Sequence, residues 1–207
     1  MTKYLIHVDD FGRSKKISEK ILKYVIKKKI SSVSVMIGFI KSNLHKKLLN
    51  TNIPTRLHLN LTDNKNYEFN KEQKDTSFIR ILFLSKKNKK FIIKEINNQI
   101  NEYKKTYKLK KIRIDGHQHI HFIPWIYKYL INSKKKIISE IRWPVEKISM
   151  PSLKYLFNLS ILKNILSLMI IYLFSHYNKK KYNLLFFGLL FSGNYSKEIF
   201  SYQKKKI

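Results

Sequence analysis

Cysteine is absent from the 207 residues. No disulfide framework and no thiolate metal site can therefore form, and any metal must be held by histidine or carboxylate. The absence points weakly to a reducing compartment. Glycine is scarce as well: Gly12 and Gly38 each stand alone, so a dinucleotide-binding or phosphate-loop reading has nothing to rest on. No apolar run of signal-peptide length precedes the acidic residues Asp9 and Asp10, and the expectation is a cytoplasmic protein.

Acidic residues are few, 13 against 43 lysines and arginines, for a formal charge of +30. Such a balance ordinarily suggests a polyanion or an anionic membrane surface. The excess is instead spread in short groups, Lys27 to Lys29, Lys134 to Lys136, Lys179 to Lys181 and Lys204 to Lys206, among much Ile, Asn, Phe and Tyr. Residues with A- or T-rich codons dominate, which favours solvated lysine faces over a specific nucleic-acid site. The most apolar stretch, Leu153 to Phe174, is interrupted by Lys154, Asn158, Lys163 and Asn164. A charge at a bilayer centre costs on the order of 3 kcal/mol, so a helix packed on the domain is expected, with peripheral membrane contact as the lesser alternative.

The chain suits a single domain, residues 1–207. Short β-rich runs at Lys3 to Val8 and Ser32 to Gly38 flank a helical pattern after Ser14, with Ile17, Ile21, Leu22, Val25 and Ile26 on one face. Thr55 to Thr62 alternates strictly, Leu57, Leu59 and Leu61 against Arg56, His58, Asn60 and Thr62. Asp63 to Lys89 reads as a polar loop with a short helical piece around Phe78 to Leu84. Then follow a helix over Phe91 to Tyr107, a strand over Lys111 to His117, a helix over Pro124 to Asn132 and a strand around Ile137 to Trp143. The spacing predicts a long helix from Pro151 to Ser175, a sixth strand over Leu184 to Leu190, and a terminal helix from Ser196. Alternating strands and helices argue for an α/β fold of parallel strands, either an open doubly wound sheet or a barrel.

Three polar clusters fall at or near strand C-terminal ends: Asp9-Asp10-Phe11-Gly12, His58-Leu59-Asn60, and Asp115 through His121, which carries His117, His119 and His121. Active sites of parallel α/β folds form there, and carboxylates with imidazoles are the ligands of a hydrolytic metal centre. If the chain stays extended, His117 and His121 stand ~13 Å apart, so one or at most two of the three histidines can share an ion. Consecutive strand side chains point to opposite faces. Both aspartates therefore reach one site only if the strand is ending, and Gly12 can supply a sharp exit. One aspartate could then bind metal while the other takes a proton from water. His7, His45 and His176 receive no role.

These clusters, in this order and spacing, resemble the YdjC-like family, which includes chitooligosaccharide deacetylases and a hopanoid-biosynthesis branch. The matching segments are Asp9 to Gly12, Ser31 to Met36, His58 to Thr62, Asp115 to His121, Arg142 to Glu146, Phe186 to Leu189 and Ser192-Gly193. The resemblance implies a distorted TIM-type (β/α) barrel and metal-dependent removal of an acetyl group from an N-acetylated oligosaccharide or glycolipid sugar. It implies a divalent ion, Mg2+ or Zn2+, held by Asp10, His58 and His117, with Asp9 as the catalytic base. His119, His121 and Arg142 are the expected substrate-binding residues. His7 stands where the family usually carries asparagine, and the family's later His-Pro-Gly strand is not among these residues. The expected barrel is therefore incomplete at its C-terminal end. The competing readings are a catalytically degenerate sugar- or metal-binding remnant and, further off, a basic nucleic-acid or membrane-surface binder. A homodimer is compatible with either.

Overall fold

The computed structural model of the protein describes residues 5–38, 42–62, 81–83, 86–178 and 187–206. It contains two compact units, Lys3–Ile141 and Arg142–Ile207. The first is a parallel sheet of β1 (His7–Phe11), β2 (Ser32–Val35), β3 (Thr55–Leu59), β4 (Ile112–Gly116) and β5 (Ile138–Ile141), in the order β1-β2-β3-β4-β5. Between the strands lie α1 (Lys15–Ile26), α2 (Ser42–Leu49), α3 (Lys86–Tyr107) and α4 (Pro124–Ser133). A doubly wound sheet reverses its strand order at a switch point; these five strands add one after another without reversal. Sequential addition is how a (β/α) barrel grows, but what the described residues form is an open five-stranded sheet.

One face of the sheet is apolar because of the alternation seen in β3. Val33, Val35, Leu57, Leu59, Ile112 and Ile114 are all at most 1% exposed. Fully burying such a side chain contributes about 1.5–3 kcal/mol before conformational entropy is counted. In α3, Ile92, Ile96, Ile100, Tyr103 and Tyr107 recur at helical spacing and are buried. Tyr103 anchors this helix to β3 through a 2.6 Å hydrogen bond to Thr55 Oγ1. The N-cap of α1 is Ser14, whose side chain accepts from the Ile17 N–H.

The opposite face is polar along its whole width. His7 and Asp9 of β1, Ser32 and Ser34 of β2, Arg56 and His58 of β3, Arg113 and Asp115 of β4 and Glu140 of β5 bond to one another across the strands. Arg56 and Arg113, toward the N-terminal ends of β3 and β4, both pair with Glu140 of β5. His58 and Asp115 lie toward the C-terminal ends of β3 and β4, and His7 opens β1.

Three expected elements differ. The opening strand runs over His7–Phe11 instead of ending at Val8, so the acidic pair lies inside it. The long helix of the second unit is interrupted: a 3-10 turn, Leu153–Phe157, precedes α5, Leu159–Tyr177. Asn158 causes the break, because its side chain accepts from the N–H groups of Ser160 and Ile161 and so starts a new helix. Residues 187–193 form turns where the end of a sixth strand was expected; the rest of that segment, like most of the Asp63 to Lys89 loop, lies outside the described residues.

The turn is held by Glu146, whose Oε2 accepts from the N–H groups of Gly188, Leu189 and Leu190 at 2.8–3.1 Å. Gln203 of the terminal helix α6 (Lys197–Lys206) donates to Oε1 of the same carboxylate. α5 buries one stripe, Ile161, Leu168 and Ile171, and Ile161 and Leu168 share a core with Leu190, Phe191 and Ile199. By length and composition α5 could cross a membrane, and only 17% of its most apolar window is buried.

Candidate metal centre

Asp9 and Asp10 reach the polar face together through a bulge, a different device from the strand end expected. Val8 pairs with Val33 and Phe11 with Val35, so β1 spends one residue more than β2 over this step. Asp10 absorbs it at φ 68, a conformation that aspartate tolerates better than most residues. Gly12 follows at φ 101, and a Cβ there would stand 2.1 Å from the Met36 carbonyl oxygen. The strand exit and the close approach to β2 therefore both require glycine.

His58 and Asp115 are direct neighbours in the β3–β4 register. His58 Nδ1 lies 2.7 Å from Asp115 Oδ1, with the two side chains 3% and 0% exposed. A carboxylate only accepts, so Nδ1 carries a proton, and Nε2 is the nitrogen left to give a lone pair to an ion. That Nε2 is 3.3 Å from Asp10 Oδ1. His117, the first residue after β4, places Nδ1 3.2 Å from the same oxygen. One donor atom from each of Asp10, His58 and His117 lies within 4.8 Å of the others.

Asp10 Oδ1 is buried and accepts no well-aligned hydrogen bond. Burial alone would raise the Asp10 carboxyl, but His117 and His58 outweigh it and hold the group well below the usual carboxylate range. Burial likewise opposes a charge on His58; the charge of Asp115 and the bonds to Asp10 and Asp115 prevail and push its pKa up to about 10. Both shifts follow from the pairing of these imidazoles with the neighbouring carboxylates. A buried carboxylate oxygen facing two imidazole nitrogens fits a divalent ion with three protein ligands, the number found in catalytic sites that leave a position for water or substrate.

Beyond Gly116 the chain does not stay extended. Gln118 and His119 take φ 50 and 56 within a 3-10 segment, His117–Phe122, which brings the His119 and His121 rings to 6.2 Å. The ~13 Å separation of His117 from His121 presumed an extended chain, and that presumption fails. Of the three histidines, His117 is the one whose donor atom groups with those of Asp10 and His58 among the described residues. His121 is fully buried, with Nδ1 3.0 Å from where a Cβ on Gly116 would be. Arg142 opens the second unit, whereas this cluster lies wholly within the first.

Sequence reasoning left His7 and Ser34 without roles and placed Asp115 in the polar cluster without a partner. His7 Nε2 stands 3.0 Å from Asp9 Oδ1 and 2.7 Å from Ser34 Oγ, and Ser34 donates to Asp115 Oδ2. Alternation along β1 was the available signal, because it puts His7 on the same face as Asp9. His45 and His176 stay outside the cluster: His45 is buried and bonds Tyr107, and His176 sits on α5 against Tyr172.

A parallel α/β sheet with a carboxylate and imidazoles converging toward its strand C-termini defines the class, an α/β protein with a candidate metal-binding triad. Residues 3–201 match the family described as YdjC-like protein. The chain belongs to that family, which is related to carbohydrate deacetylases. Comparison with curated proteins gave no match.

Proposed function

We propose that the protein is a metal-dependent hydrolase that removes the acetyl group from an N-acetylated sugar. The observation that carries this reading is the grouping of donor atoms of Asp10, His58 and His117, with Asp9, which faces His7 and acts on His58 through its charge, as a carboxylate outside the ligand set. Two imidazoles with a carboxylate favour zinc or a similar transition ion over magnesium, which prefers an all-oxygen shell. When bound, the ion supplies Lewis-acid polarisation of the amide carbonyl and acidifies water.

The remaining work falls to the chain. Asp9 takes the proton from the attacking water and delivers it to the departing amine nitrogen, so acetate and a free amino sugar leave. Asp115 keeps His58 in the tautomer that aims Nε2 at the ion. His119 and His121 are proposed to contact the sugar.

Purified protein should release acetate from N-acetylglucosamine oligosaccharides only with a divalent metal present. Asp9→Asn should lower the rate by roughly 10²–10⁴-fold while still binding the metal. No metal-dependent acetate release across a panel of such sugars would refute the reading. Equal turnover in Asp9→Asn and the parent would point instead to a sugar- or metal-binding module.

A further inference from the structure

His7, Asp9 and Asp115 also bring their donor atoms within 4.8 Å of one another, so the polar face offers a second group with the composition of a metal site. Hydrogen-bond accounting decides against that use. Ser34 Oγ has one proton, and it goes to Asp115 Oδ2 at 2.5 Å. Toward His7, Ser34 can therefore only accept, so the His7 Nε2 that lies 2.7 Å away must carry a hydrogen. The same nitrogen faces Asp9 Oδ1 at 3.0 Å, an atom that also only accepts. At the other end of the ring, Nδ1 is anchored by Ser32 Oγ at 2.6 Å. A ring fixed at both nitrogens, with Nε2 protonated, has no lone pair to give a cation on that side.

We infer that His7 is a positioning residue. Its Nε2–H, shared between Ser34 and Asp9, ties the proposed base to the buried Asp115–His58 pair, so the base and the ligand His58 are held by one continuous chain of bonds. This deepens the deacetylase reading and rests on it. The arrangement uses partners from β1, β2, β3 and β4, which explains why Ser32 and Ser34 occupy the two positions of β2 that face the polar side. Without His7, Asp9 keeps its chemistry but loses its aim; the ion keeps its ligands.

The test uses the zinc-loaded full chain. Nitrogen NMR of the histidine rings, with the His7 signal assigned by its loss in His7→Gln, should show Nε2 protonated, and zinc should bind at one equivalent per chain. His7→Ala should lower kcat about tenfold, with KM and zinc affinity within about twofold of the parent. His7→Gln, whose amide N–H can stand where Nε2–H stood, should recover most of that loss. An unprotonated Nε2, a second equivalent of zinc, unchanged kcat in His7→Ala, or loss of zinc affinity in step with activity would each overturn the inference. If the parent turns over no sugar, the deacetylase reading fails, while ring protonation and zinc stoichiometry still decide the role of His7. Those two readouts also stand if His7→Ala does not fold.

Discussion

His45 sits in the core of the first unit with Nδ1 3.0 Å from the Tyr107 hydroxyl and its ring edge-on to Phe11. Burial pushes its pKa below the ordinary 6.5. The unfolded chain therefore takes up a proton near pH 6.5 that the folded chain refuses, and stability falls as pH drops from about 6.5 toward the lower folded value. His45→Gln keeps a hydrogen-bonding group toward Tyr107 but cannot titrate. Thermal melts from about pH 7.5 down to about pH 5 should show the parent losing more stability than the variant; parallel curves would contradict this. The residue scale is also where sequence reasoning stopped short. His7 looks ordinary because Ser32 and Ser34 are 25 and 27 positions away, and only the β1–β2 pairing brings them to it. Asp115 and His58 were both visible as chemistry-bearing residues, but the bond between them depends on strand register, which neither segment encodes alone.

Among the elements, β3 was the most legible, since strict alternation specifies both its existence and its buried face. Helices α1 and α4 were legible from caps and proline placement. Strand β1 was the least legible: its pattern suggested an end near Val8, yet pairing with β2 carries it through a bulge to Phe11. The bulge works only because Gly12 lets the backbone pass the Met36 carbonyl. Gly12→Ala would meet both a positive φ and a backbone atom that cannot yield. The φ strain alone costs about 1–3 kcal/mol, and the contact adds to it, so the denaturation midpoint should fall sharply and metal binding should weaken with it. A variant as stable as the parent, with its metal site intact, would show that this turn is not what shapes the site. The division of the long helix at Asn158 has a similar origin. That residue reads as a polar interruption in an apolar run, while its cap bonds make it a starting point.

At the scale of the whole molecule, the sequence conveys parallel α/β order and family membership, and the strand order without a switch point narrows the architecture further. The sheet has one apolar face that supplies stability and one polar face that carries the candidate metal ligands. A polar face this continuous is costly unless its groups satisfy each other, and the chain of bonds from His7 to His58 does so while leaving Asp10 Oδ1 aimed at two imidazoles. The net charge of +30 is a property of the surface as a whole, separate from this buried arrangement.

Calorimetric titration of zinc into the parent and into Asp10→Ala, His58→Ala and His117→Ala, each checked for folding by circular dichroism, tests the metal centre most directly. One equivalent should bind the parent, and each single substitution should weaken binding by at least about 10–100-fold, the loss typical of removing even an outer partner of a ligand. Unchanged zinc affinity in any one of the folded variants would mean that Asp10, His58 and His117 do not hold a common ion.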